Sequence, residues 1–165
     1  MNATKNVFRA LLGLVFVSLF ITSCQLGTHK DLMSGLSYTY SGLGVEEVVL
    51  SIDGQRFQDR EFPFQSVVVM NFLEVNGFKR NDGKVFPGLS VSVTDKSGNV
   101  VLSADDLFAK YDAEGLEPVE ASSLSSNITI GNPMTPGQTY HWEVNVWDKR
   151  GEGEIQANMD FTVAP

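Results

Sequence analysis

The chain has 165 residues, 20 acidic against 12 basic, and a formal charge of −8. Such a surface repels phosphate and excludes nucleic acid as a partner; a hydrophobic content of 42% excludes a disordered chain. Its single cysteine excludes a disulfide within one chain, and the length suits one domain with a real core.

Lys5 and Arg9 precede an unbroken run of apolar and small residues from Ala10 to Ile21. This is the core of a secretory signal, short of the ~20 residues of a comfortable membrane span. Ile21-Thr22-Ser23-Cys24 closes the run with an aliphatic residue, two small residues and a cysteine, and resembles the lipobox of bacterial lipoproteins. The resemblance implies that residues 1–23 are a cleaved signal peptide. It also implies that Cys24 carries diacylglycerol on its sulfur and an acyl chain such as palmitate on its amino group, with no other cofactor. One myristoyl chain binds a bilayer with K of only about 10⁴ M⁻¹, so stable anchoring takes more than one chain. Cleavage removes two basic residues and no acid, leaving a charge of −10, so the acyl chains rather than anionic headgroups hold the protein. Gln25, Leu26 and Gly27 lack the aspartate that keeps some Gram-negative lipoproteins in the inner membrane. The expected address is the cell envelope, at the outer membrane.

Residues 24–35 are polar and without periodicity and are expected to be a flexible tether, with a single domain over 36–165. Strands are expected at Leu36 to Tyr40 and Val45 to Ile52. Asp53-Gly54 is a turn, and Gln55 to Glu61 a charged connection. Phe64 to Val75 is rich in Val, Met, Phe and Leu with little alternation, as in a central strand covered on both faces. Leu89, Val91 and Val93 alternate with serine and threonine, and Asp95 to Asn99 turns the chain into Val100-Val101-Leu102. Ser103 as N-cap, Asp105 and Asp106 in a first turn and Lys110 in a last predict a short helix over Ala104 to Tyr111. Asp112 to Ser126 reads as an acidic loop and Asn127 to Ile130 as a short strand.

The closing hairpin is the clearest pattern. Tyr140, Trp142, Val144 and Val146 alternate with polar residues, and Ile155, Ala157, Met159, Phe161 and Val163 answer them after the Asp148 to Gly153 turn. It is expected as an edge-side pair with one dry and one wet face. The fold expected is an antiparallel, immunoglobulin-like β-sandwich of about seven to nine strands with one short helix near residues 104–111. Thr135-Pro136-Gly137-Gln138-Thr139-Tyr140, the alternating strand, Asp148-Lys149-Arg150-Gly151 and the closing Phe161-Thr162-Val163 resemble the last two strands of fibronectin type III and related domains. The resemblance implies that Tyr140 is a corner tyrosine, with its ring in the core and its hydroxyl tied to nearby backbone.

No motif carries catalysis. His29 and His141 have no spaced metal partner, no serine stands in a nucleophile elbow, and the expectation is a non-enzyme. Asp105, Asp106, Asp112 and Glu114, with Glu117, are oxygen ligands of the kind calcium takes, but their spacing fits no EF-hand, and helix capping explains the same acids. By alternation Trp142 points inward, whereas Trp147 shares the wet face with His141, Glu143 and Asn145, a composition used by sugar-binding and protein-binding surfaces. Two functions follow. One is a lipid-anchored, non-catalytic interaction or structural module with an envelope protein partner; the other is a lipoprotein that binds a carbohydrate or small ligand around Trp147.

Overall fold

The structure, a computed structural model, describes residues 26–165; the expected signal segment and Cys24 lie outside them. Eleven strands are present: β1 Leu26–Lys30, β2 Ser37–Ser41, β3 Glu47–Ile52, β4 Gln55–Phe57, β5 Glu61–Phe62, β6 Val67–Leu73, β7 Pro87–Asp95, β8 Val100–Ala104, β9 Ser123–Thr129, β10 Thr139–Asp148 and β11 Glu154–Val163. One sheet runs β1-β2-β11-β10-β7-β8 with β5 beside β11, and the other runs β4-β3-β6-β9. Among the strand pairs of the described residues, β5–β11 alone is parallel, and an isolated parallel bridge joins Gly42 to Glu154. The order β11-β10-β7-β8 against β3-β6-β9 is that of an immunoglobulin-like sandwich, with β1 and β2 added outside β11.

Period-two alternation builds the core. Tyr140, Trp142, Val144 and Val146 of β10 and the five apolar residues of β11 are all buried, facing Val68, Met70 and Phe72 of β6 and Leu124 and Ile128 of β9. Each such side chain contributes about 1.5–3 kcal/mol on burial. Phe62 joins the layers, stacked on Phe161 at 4.5 Å and edge-on to Trp142 at 6.4 Å. Tyr140 makes the corner implied by the resemblance: its ring is buried, and its hydroxyl oxygen accepts the Thr135 N–H at 2.8 Å.

Several elements differ from expectation. The segment expected as a tether holds β1, paired with β2 along its whole length. The following turn is closed by Asp31, whose carboxylate takes the Met33 N–H at 2.9 Å and the Ser34 hydroxyl at 2.6 Å. Pairing to a neighbouring strand orders an edge segment that has no apolar periodicity of its own. The helix over 104–111 is replaced by the end of β8 and a single 3₁₀ turn, Ala109–Tyr111. The Asp106 carboxylate captures the Phe108 N–H at 2.9 Å and reaches the Leu89 N–H at 3.3 Å, while the Leu107 N–H donates to Leu89 O. One local side chain and one tertiary carbonyl thus take the amides a first helical turn would leave free.

Gln55 to Glu61 supplies β4 and β5, which raises the strand count. The β10–β11 hairpin is central rather than at an edge, because β2 and β7 flank it. β6 lies between β3 and β9 but has only one dry face; Val67 on the other is 43% exposed.

A polar face with an open tryptophan

The outer face of the seven-stranded sheet gathers His141, Glu143, Asn145 and Trp147 on one side of β10, as alternation predicts. The pairing register sets what stands beside each. Trp147 lies between Gly88 of β7 and Glu154 of β11, and that row continues through Ser41 to Leu26. Asn145 lies between Ser90 and Gln156, and Glu143 between Ser92 and Asn158. β7 therefore contributes only glycine, serine and threonine, a shallow trough beside the larger side chains of β10.

The indole occupies the space a side chain at Gly88 would fill, since a Cβ there would come within 2.1 Å of the ring. Trp147 is half-buried against this backbone. Farther along, His141 Nδ1 meets Asp160 at 2.8 Å, the Ser37 hydroxyl donates to Asn158 at 3.1 Å, and the hydroxyls of Thr139 and Thr162 meet at 3.1 Å. Asn145 Oδ1 is buried beneath this face with no hydrogen-bond partner among the described residues. Chemically the face offers one indole plane, hydroxyl and amide groups, and the carboxylates of Glu143, Glu154 and Asp160.

The calcium candidates are not brought together as a cation site. Lys149 Nζ stands 2.5 Å from Asp106 and also bridges Asp112, so an ammonium neutralises the acids that an ion would need. Among the described residues no group of three or more His, Cys, Asp or Glu is placed to hold a metal. Partial burial pushes Asp106 up, but the Lys149 ammonium and the Phe108 and Leu89 N–H groups outweigh it and hold the carboxyl below its usual range. Burial likewise pulls Lys149 down, and its two carboxylate partners more than reverse this. His29, expected on the tether, stacks on Tyr38 from β1 with ring centres 5.0 Å apart.

Sequence reasoning missed two features. Asp148 is buried and organises its end of the sandwich, accepting the Lys79 N–H at 2.6 Å and the Arg150 N–H at 2.9 Å. Glu74 and Asn76 form a shared rim between two clefts of about 480 and 510 Å³ at that same end. Glu74 has a φ of 53°, and Asn76 donates to its carbonyl at 2.9 Å. The Asn76-Gly77 pair marked a turn but carried no sign of a cleft.

No family model matches the chain, and no curated protein matches it in sequence. Among solved structures, the crystal structure of the C-terminal domain of wzt is similar over 87% of this chain and 80% of that chain, at 7% identity and a TM-score of 0.45.

Proposed function

We propose that the mature chain is a lipid-anchored, non-catalytic binding module of the cell envelope, at the outer membrane, that takes a carbohydrate on the outer face of its seven-stranded sheet. The observation that carries this is Trp147 laid over Gly88, with the polar side chains of Ser90 and Gln156 in the next row of the sheet. A sugar ring stacks its C–H face on an indole and exchanges hydrogen bonds with neighbouring amide and hydroxyl groups, here those of Gln156 and Ser90. The resemblance of Ile21-Thr22-Ser23-Cys24 to a lipobox supports the anchor.

A protein partner is the second reading, favoured by Leu32 and Met33, which are 80% and 67% exposed at the tip of the Asp31 turn. Arg60 braces that tip by donating to the carbonyls of both residues, at 3.1 and 3.3 Å.

The mature domain without lipid, immobilised and challenged with detergent-solubilised envelope, separates the two. Polysaccharide recovery that falls about tenfold with Trp147→Ala, the loss of roughly 1.4 kcal/mol, is the expected result. Recovery of one stoichiometric protein, unaffected by Trp147→Ala and abolished by Leu32→Ser, establishes the protein reading instead. Radiolabelled palmitate incorporated into the full chain and lost with Cys24→Ala tests the anchor.

A further inference from the structure

Leu26 already stands in β1, paired with Ser41. Only Gln25 separates it from Cys24. An extended chain spans at most ~3.6 Å per residue, so the anchoring cysteine lies within about 7 Å of Leu26. The sandwich has no slack with which to stand off from the lipid.

The strands determine which end is held. Leu26 shares its row with Ser41, Glu154, Trp147 and Gly88, at the level where β10 ends and β11 begins. The Asp95-to-Asn99 turn lies at the opposite end of β7, a nine-residue strand, about 26 Å away.

The surface at the Leu26 end suits a headgroup layer. Leu26 and Val119 are 76% and 77% exposed there, with Phe78 beside Val119 in the larger cleft. Trp147 stands at the outer margin, an amphipathic ring of the kind that favours a membrane interface. Glu117 is paired with Lys84, and Asp106 and Asp112 with Lys149. Lys79, Arg80 and Arg150 make no ion pair among the described residues. Glu46, Glu74, Glu120, Glu152 and Glu154 also make none there, so this end carries both signs with acids in excess, and the surface it suits is zwitterionic rather than anionic.

We infer that the sandwich is seated by this end on a zwitterionic lipid surface, with Leu26 and Val119 in the headgroup layer, Trp147 at its margin and the Asp95-to-Asn99 turn pointing away. The inference rests on the lipid-anchor reading and adds to it an orientation. It also places the Trp147 row within reach of sugars carried by the membrane itself.

The test uses the full, acylated protein in phosphatidylcholine vesicles containing a fluorescence-acceptor lipid. Single dyes are placed by Glu152→Cys at the seated end and Ser97→Cys at the far end; both positions are exposed, and acylation leaves the new thiol as the one to label. The dye at position 152 is expected to lose severalfold more emission than the dye at 97. A flexible Gly-Ser insertion of about ten residues between Gln25 and Leu26, with a reach of about 17 Å, is expected to erase most of that difference. Equal quenching at the two positions in a protein that floats with the vesicles overturns the orientation and leaves the anchor standing. A protein that carries no acyl chain and does not float overturns both.

Discussion

The Trp147 indole lies over the bare Cα of Gly88, where an added Cβ would stand 2.1 Å from Cε2 and 2.3 Å from Cζ2. Neither group can give way easily, because one is strand backbone and the other a rigid ring. Gly88→Ala is expected to lift the ring off the sheet at a cost of about 1–3 kcal/mol. Trp142 is fully buried and stays so, which makes any red shift of tryptophan emission a report on Trp147. Unchanged emission would contradict this geometry.

Lys149, only 17% exposed in its side chain, neutralises Asp106, which is 19% exposed. Lys149→Met is expected to cost about 2 kcal/mol by leaving a largely covered carboxylate unpaired. The pH dependence has a definite sign at each flank. Asp106 titrates below its unfolded value of about 3.9, so its contribution is complete above that pH and is lost as pH falls through the lower, folded value. Lys149 titrates above its unfolded value of about 10.4, so its contribution is complete below that pH and is lost as pH rises through the folded one. Denaturant unfolding at acid, neutral and alkaline pH should show the variant losing most at neutral pH, with both flanks flattened.

Removing the corner hydroxyl with Tyr140→Phe deprives the Thr135 N–H of its acceptor. The expected cost is about 1 kcal/mol, with the ring still packed beside Phe161. Equilibrium unfolding measures it, and a neutral result would mean that water replaces the hydroxyl without loss.

Asp148→Ala orphans the Lys79 and Arg150 amides together. A loss of about 3 kcal/mol is expected, with Asp148→Asn recovering part of it because an amide oxygen still accepts one of the two. Hydrogen exchange at Lys79 and Arg150 should accelerate in the alanine variant well before exchange at Val144 in the core. A uniform acceleration would show that Asp148 acts on the whole fold and not on this end.

The sandwich was legible because alternation is a local property: β10 and β11 declare their dry faces within ten residues each. Tyr140 was legible through the Thr135-Pro136-Gly137 turn that precedes it. Pairing partners were not, since nothing in Gly88 announces that Trp147 will cover it, and nothing in Leu26 to Lys30 announces β2 as a partner. The helix over 104–111 failed for a related reason. Asp105 and Asp106 look like first-turn acids, but the Leu89 carbonyl takes the Leu107 N–H and the Leu89 N–H donates to the Asp106 carboxylate. The four wet-face residues of β10 were found from sequence, whereas the trough beside them required the β7 register.

β2 pairs on one side with β1 and on the other with β11. The second strand therefore waits for the last ten residues before its sheet can close. Closure over such a sequence separation is slow compared with local pairing. The β1–β2 hairpin can thus form early, whereas the seven-stranded sheet is completed only when β11 docks between β2 and β10.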